Sequence, residues 1–178
     1  VMVNTGRQEI DYQDASNKTK LTTYTGADGV RIGSGLTGFL RKSAFALRFG
    51  ELEPLISNFV TDESRIIYIR DVQERVAVLA PFLHWDADPY PVILDGRIQY
   101  VLDAYTTSAM YPYAQRADTD QLPAGSGLDH AFNYARNSVK AVVDTYDGTV
   151  DLFIVDEEDP IAAAYDGAFP DLFSPLED

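Results

Sequence analysis

Cysteine is absent from this chain of 178 residues, and basic residues are scarce. Without cysteine the chain can form no disulfide, no thiolate nucleophile and no Cys-ligated zinc site. Its 14 lysine and arginine residues stand against 28 aspartate and glutamate residues, which gives a formal net charge of −14. Scattered cations in an acidic chain are a poor match for nucleic-acid phosphates and for anionic lipid. The scarcities therefore exclude thiol chemistry and argue against a nucleic-acid partner.

Long apolar runs are also missing. No window reaches the ~18 to 20 consecutive apolar residues that a membrane-spanning helix needs. The chain opens with Val1 and shows no leader of the secretory kind, so we expect an excised or processed piece of a longer protein. An apolar fraction of 46% with 24% charged residues is typical of a globular protein. We expect one folded, soluble domain over residues 1–178.

Helical patterns dominate the first half. One apolar stripe at helical spacing lies between Ser34, a candidate N-cap, and Gly50, a candidate C-terminal stop. Its members are Leu36, Leu40, Ala44 and Leu47. A second helix is predicted from Asp71, because Asp71 and Glu74 have the spacing of a capping box. Its predicted buried face consists of Val72, Val76, Leu79 and Leu83.

The second half is typical of β-hairpins. The segments "YPVILD" and "RIQYVLDAY" flank Asp95 and Gly96, a dipeptide that favours a two-residue turn. In "VVDTYDGTVDLF", a two-residue turn at Asp147 and Gly148 would place Asp144 opposite Asp151, and facing like charges destabilise a sheet. A four-residue turn with Gly148 left-handed avoids this, and frees Asp144 to accept hydrogen bonds from the turn. The longer turn predicts three facing pairs: Val143 with Val150, Ala141 with Leu152, and Val139 with Ile154.

Most of the other aspartates are also predicted to lie in turns. Asp103 resembles Asp144 in its local sequence, so we expect it to start a similar turn. The acidic run "DEEDP" at 156–160 is interpreted as a solvated turn. Asp86 and Asp88 belong to neither hairpin, and Pro89 favours a turn there. Two alternatives stay open for Asp86 and Asp88: a Ca²⁺ or Mg²⁺ site, or a pair of catalytic acids.

Three further features are interpreted structurally. His84 and His130, the only histidines, are not spaced as a local metal pair, so each is assigned to the surface or to packing. Residues 114–130 form a long surface loop. The aromatic tail around Phe169 and Phe173 is expected to pack into the domain's own core, with docking on a partner as the alternative. The fold class is α+β: a single domain with helices mainly in the first half, packed on an antiparallel sheet of hairpins.

Several segments, taken in order, resemble the UPF0182 family. They include "DESRIIYIRDVQERVAVLAPFL", "DADPYPVILDGRIQYVLDAYTTS" and "NYARNSVKAVVDTYDGTV". The residues that match the family's pattern are Asp88, Pro89, Tyr90, Asp95, Gly96, Asp103, Tyr105, Thr106, Asn137, Val139, Lys140, Asp147 and Gly148. The resemblance implies a large, uncharacterised bacterial multi-pass membrane protein. It further implies that this chain follows a block of transmembrane helices and lies on the extracytoplasmic side of the cell membrane.

The leading functional hypothesis is a non-enzymatic module without cofactors. It would bind a ligand, an envelope component, its own transmembrane region or another subunit. The alternative is a hydrolase of envelope glycan or peptide that uses paired carboxylates. The candidate binding residues are Asp86, Asp88, Tyr90, Asp103 and Tyr105, and Asp86 and Asp88 are the candidates for any metal. Asp95, Gly96, Asp144, Asp147 and Gly148 are assigned to structural turns.

Overall fold

A computed structural model describes residues 1–26, 28–94 and 96–176, and confirms the α+β class. The chain forms two compact units, Val1–Tyr68 and Ile69–Asp178. Each unit contains helices, antiparallel strands and a hydrophobic cluster of its own. None of the helices in the described part of the chain combines the length and the apolar character that crossing a bilayer requires.

The first unit combines short strands with two helices. Its strands are β1 (Met2–Val3), β2 (Glu9–Gln13), β3 (Thr19–Thr22), β4 (Val30–Arg31) and β5 (Arg65–Ile66), and its helices are α1 (Gly35–Phe49) and α2 (Glu53–Ile56). Strands β1, β5 and β4 form one antiparallel sheet in that order, and β2 pairs with β3 in a separate hairpin. Ile32, Val60 and Ile66 form the core of this unit.

Helix α1 has the predicted bounds but not the orientation that a core-forming stripe implies. It begins after Ser34 and ends at Gly50, whose φ of 68° is the left-handed conformation expected of a C-terminal glycine. The buried residues of α1 are Gly38 and Ala46, whereas Leu36 and Leu47 are exposed. The helical period therefore predicted the helix correctly, but did not show which face meets the core.

The second unit is built on a five-stranded antiparallel sheet. Its elements are α3 (Val72–Leu79), β6 (His84–Trp85), β7 (Tyr90–Leu94), β8 (Arg97–Ser108), β9 (Tyr134–Asp144), β10 (Val150–Ile154) and α4 (Pro160–Ala168), with a 3-10 turn at Thr119–Gln121. The order is β10-β9-β8-β6, and β7 also pairs with β8. The predicted N-cap of α3 is confirmed, since the Asp71 carboxylate accepts a hydrogen bond from the Glu74 N–H at 2.9 Å.

One face of this sheet carries the core. Val76 of α3 packs there with Leu102, Val139 and Leu152, all fully buried. The tail packs against the same cluster through Leu172 and Phe173, which confirms the prediction that it joins the domain's own core. Phe169 stacks on Phe82, although it remains partly exposed.

The interpretation of "DEEDP" as a solvated turn is wrong for its last aspartate. Asp159 is fully buried and is the N-cap of α4, where it accepts a hydrogen bond from the Ile161 N–H at 3.0 Å. An aspartate directly before a proline at the first helical position is a helix-start signal. Asp156 keeps a turn role, because its carboxylate accepts from the Glu158 N–H.

The predicted register of the second hairpin is confirmed. Val143 faces Val150, Ala141 faces Leu152, and Val139 faces Ile154. Asp144 accepts hydrogen bonds from the Tyr146 and Asp147 N–H groups, as a four-residue turn requires. Burial opposes the ionisation of Asp144, but these hydrogen bonds and Arg97 outweigh it and lower its pKa. In the first hairpin Leu94 faces Arg97 and Gly96 has a φ of 76°, while Asp95 lies outside the described residues.

Replacing Gly148 by valine should reduce the free energy of unfolding by about 1 to 2 kcal/mol. Gly148 has a φ of 71°, and a left-handed conformation strains a β-branched side chain by roughly that amount. Urea denaturation of both proteins measures the difference. A Gly148→Asn variant is the control and should lose less, because asparagine tolerates this conformation better. Equal stability of the valine variant and the parent would contradict the assignment.

Candidate functional site

The open face of the five-stranded sheet collects most of the candidate residues. Along β8, Leu102, Ala104 and Thr106 are buried on the core side, so the alternating residues Asp103 and Tyr105 point to the opposite side. The neighbouring strands add Lys140 opposite Asp103 and Tyr90 opposite Val101. We call the set formed by Tyr90, Asp103, Tyr105, Lys140 and Asp86 the polar face.

Asp103 does not start a turn, and this prediction is wrong. It lies in the middle of β8, which continues to Ser108 and pairs with β9 along almost its whole length. The Asp103 carboxylate accepts a hydrogen bond from the Lys140 ammonium directly across the strands. The sequence around Asp103 resembles that around Asp144, but the turn after Asp144 needs Gly148. The equivalent position in β8 is not a glycine, so the strand continues.

Lys140 is the centre of the polar face. Burial lowers the pKa of Lys140, but the hydrogen bonds and charge of Asp103, aided by the Tyr90 hydroxyl, more than compensate and raise it. The ammonium is therefore a fixed cation rather than a proton donor or acceptor. Lys140 was not a candidate at the sequence level, since its carboxylate partner lies 37 residues away.

Tyr105 is held as a protonated phenol. Burial raises its pKa, and the negative charges of Asp86 and Asp103 raise it further, with Lys140 opposing them. A neutral phenol both donates and accepts hydrogen bonds. The polar face therefore offers two tyrosine hydroxyls, those of Tyr90 and Tyr105, beside an ion pair.

Asp86 and Asp88 form a local turn between β6 and β7. The Asp88 N–H donates to the Asp86 carboxylate at 3.1 Å, and the Asp86 N–H donates to the Asp103 carbonyl at 2.9 Å. Asp88 itself is exposed. This geometry fits the turn interpretation of the pair. Within the described residues, no group of three or more His, Asp or Glu side chains is arranged to hold a metal ion.

The two histidines, which were assigned separately, are brought together beside the polar face. The rings of His84 in β6 and His130 in the loop before β9 stack with centroids 3.8 Å apart and planes at 18°. His130 Nε2 also hydrogen-bonds the Thr107 hydroxyl at 2.9 Å. Gly127 lets the loop approach this closely, because a Cβ there would lie 2.5 Å from the Trp85 carbonyl oxygen. No local spacing could have indicated the pair.

Acidification should destabilise the stacked pair. Burial lowers the pKa of His84, the charge of His130 lowers it further, and Asp129 partly opposes them. The folded protein thus favours neutral His84. The stability that the folded protein gains from neutral His84 is complete above the ordinary histidine pKa of 6.5. It is lost as the pH falls through the lowered pKa of His84.

NMR titration can test this directly, because the chain has only two histidines. We expect His84 to titrate below 6.5. In a His130→Phe variant its pKa should rise only partly, because burial is the larger cause and persists. A His84 pKa at or above the ordinary value would contradict the prediction.

Comparisons with known proteins complete the description of the site. The chain matches the uncharacterised protein family UPF0182 over residues 1–178. It is 45% identical to a UPF0182 protein of Frankia alni over 99% of this chain and 18% of that protein. It is 46% identical to a UPF0182 protein of Kineococcus radiotolerans over 94% of this chain and 17% of that protein. The chain thus spans less than a fifth of the length of these relatives. No solved structure matches it significantly.

Proposed function

This chain belongs to the uncharacterised family UPF0182, and we propose that it serves as a non-enzymatic binding module of a larger membrane protein. In this proposal it lies on the extracytoplasmic side of the cell membrane. Its partners are an envelope component, the transmembrane part of the same protein, and neighbouring subunits. The observation that carries the proposal is the polar face, where side chains from three strands and from the turn before β7 gather on one partly exposed surface.

The chemistry of the polar face suits an extended polar partner. Tyrosine rings stack on sugar or peptide units, and their hydroxyls exchange hydrogen bonds with them. The Lys140–Asp103 ion pair fixes the surface in shape and charge. A sheet face is also flatter than the deep, mostly apolar clefts that hold small molecules. Envelope glycan is therefore the partner to test first.

The test is cosedimentation of the 178-residue chain with insoluble peptidoglycan. We expect the chain to bind, and a Tyr90→Ala/Tyr105→Ala variant to bind at least about tenfold more weakly, a loss of about 1.4 kcal/mol. Tyr146→Ala is the matched control, because Tyr146 is exposed beside Arg97 in the β9–β10 turn. Its affinity should not change. Absence of binding by the parent chain, or equal binding by the double variant, would contradict a role for the polar face.

The hydrolase is the second candidate because the polar face holds two carboxylates, those of Asp86 and Asp103, whose negative charges both raise the pKa of Tyr105. The structure gives this candidate less support. Asp103 is paired with Lys140, and Asp86 accepts the Asp88 N–H. Release of soluble fragments from peptidoglycan, abolished by Asp103→Asn, would establish the hydrolase in place of the binding module. Binding without release favours the module.

A further inference from the structure

The end of the loop before β9 is fastened to β6 and to the turn after it. We call residues 125–130 the loop end. The ring of His130 stacks on that of His84 in β6, with centroids 3.8 Å apart. In the turn after β6, the Ala87 N–H donates to the Gly125 carbonyl at 2.7 Å. The loop end is therefore held at both of its termini by residues of one short stretch of chain.

The stacked histidines lie on the same side of the sheet as the polar face. His84 faces Tyr105 across β6 and β8, and facing residues of paired strands share one side of a sheet. His130 Nε2 hydrogen-bonds the hydroxyl of Thr107, which is two residues beyond Tyr105 and therefore also on that side. Asp86 follows β6 directly. The histidine pair thus adjoins two members of the polar face, Tyr105 and Asp86.

The stacked pair cannot hold two charges as it is packed. An imidazolium donates hydrogen bonds from both of its nitrogens, but His130 Nδ1 is buried and has no hydrogen-bond partner within the described residues. Charging both rings would also place two positive charges in stacked rings 3.8 Å apart. The stacked arrangement therefore suits neutral rings, and charging both of them favours an opened pair with the rings in water.

The groups around His84 do not cancel this preference. They are His130 and Asp129 of the loop end, Tyr105 on β8, and Asp86 after β6. Burial and the charge of His130 outweigh Asp129 and lower the pKa of His84. Tyr105 adds no charge, because its pKa is raised and the phenol stays protonated. Acid therefore works against the stacked pair.

We propose that His84 and His130 form a pH-sensitive clasp. At neutral pH the stacked rings hold the loop end on β6, and on acidification the charged rings separate and release it. Release breaks the hydrogen bond between Ala87 and Gly125 and loosens the turn that positions Asp86. Because Asp86 belongs to the polar face, binding at that face should weaken in acid. The effect on binding rests on the proposed function, whereas the clasp does not.

Amide hydrogen exchange followed by NMR tests the clasp at about pH 7.5 and about pH 5.5, a window in which an ordinary aspartate stays ionised. After correction for the intrinsic pH dependence of exchange, the Asp86 and Ala87 amides should lose about tenfold or more in protection at the lower pH. The Val155 amide is the internal control. It donates to the Ser138 carbonyl at 2.8 Å at the opposite edge of the sheet, and its protection should not change.

His84→Phe/His130→Phe is the matched variant, because it keeps two aromatic rings at the stack and removes both titrating groups. Its Ala87 amide should have the same protection at both pH values. His130→Gln is a second variant for the case in which the double variant does not fold. Glutamine can hydrogen-bond the Thr107 hydroxyl but cannot become charged, so the pH-dependent loss of protection should be smaller than in the parent.

Cosedimentation with peptidoglycan at the same two pH values tests the effect on the polar face. The parent chain should bind about fivefold or more weakly at the lower pH, because apparent affinity falls with the fraction of molecules in the competent state. The double phenylalanine variant should bind equally at both pH values.

The clasp is overturned if the parent's Ala87 amide is equally protected at both pH values, if the double variant shows the same loss, or if Val155 loses protection to the same extent. Binding that does not change with pH, although the loop end opens, would overturn the link to the polar face. Absence of peptidoglycan binding at both pH values, with pH-dependent protection of Ala87, would contradict the proposed function and support the clasp.

Discussion

Asp159→Ala should lower the free energy of unfolding by at least about 4 kcal/mol. The Asp159 carboxylate is fully buried and accepts hydrogen bonds from the hydroxyls of Thr106, Ser138 and Tyr134 and from the Ile161 N–H. Removing the carboxylate leaves three buried or half-buried hydroxyls without their hydrogen-bond acceptor, and it leaves α4 without its N-cap. A lost cap costs about 1 kcal/mol, and each buried polar group left without a partner adds about 1 to 3 kcal/mol. Urea denaturation measures the loss.

Asp159→Asn is the control that keeps the size and the cap but removes the charge. Burial opposes ionisation of Asp159, but the hydrogen bonds from Ser138, Thr106, Tyr134 and Ile161 outweigh it, so its pKa lies below the ordinary 3.8. The ionised carboxylate therefore stabilises the fold fully above about pH 4, and this advantage is lost as the pH falls through the lowered pKa. The stability difference between the parent and Asp159→Asn should shrink on acidification. A pH-independent difference would contradict an ionised Asp159.

The hydrogen bonds around Asp159 also make the Tyr134 hydroxyl a weaker acid than an ordinary tyrosine. Burial, the hydrogen bond to Asp159 and its negative charge raise the pKa of Tyr134 to about 12. The Tyr134 hydroxyl should therefore stay protonated, and able to donate its hydrogen bond, at pH values where an ordinary tyrosine with a pKa of 10.0 is already ionised.

Ending the chain after Pro160 should have the largest effect, a loss of more than about 5 kcal/mol, and should unfold the second unit. The deletion removes Ala162, Leu172 and Phe173 from the core, and it removes Tyr165, whose ring centroid lies 4.3 Å from that of Phe82. Truncating a single buried Leu or Phe already costs about 2 to 5 kcal/mol, and whole domains are stable by only about 5 to 15 kcal/mol. Thermal denaturation followed by circular dichroism measures the loss.

Ending the chain after Pro175 is the matched control. It removes Leu176, which is exposed, together with the two residues beyond it, so the melting temperature should not change. If the shorter chain, ending at Pro160, instead melted like the parent and became more soluble, the tail would serve a partner and its packing on the core would be incidental.

The parts of the fold that were predictable are those set by neighbouring residues. Ser34 and Gly50 mark the ends of α1, and Gly148 fixes the register of the last hairpin, because caps and turns act through the backbone within a few residues. The alternating pattern of β8 likewise indicates two faces. In each of these cases the interacting groups lie close together in the sequence.

The parts that were missed depend on residues far apart in the sequence. Asp103 meets Lys140, and His84 meets His130, only once β8 has paired with its neighbours. Asp159 lies in an acidic run that looks solvated, and its burial follows from hydroxyls 21 and 53 residues away. The polar face could therefore not be predicted as a site from the sequence, because its residues come together only when the sheet is folded.

Both edges of the five-stranded sheet are interrupted or partly covered, and this limits how a partner can bind. On one side Asp86 to Pro89 interrupt the edge between β6 and β7, Pro91 lies within β7, and the Ala87 N–H is bonded to the Gly125 carbonyl. Beyond β10, the tail bridges Leu152 through Phe173, and the Ser174 N–H donates to the Leu152 carbonyl. Proline and covered edges prevent strand addition by other chains. Strand addition at these edges is thereby disfavoured, which favours recognition through side chains on the face of the sheet.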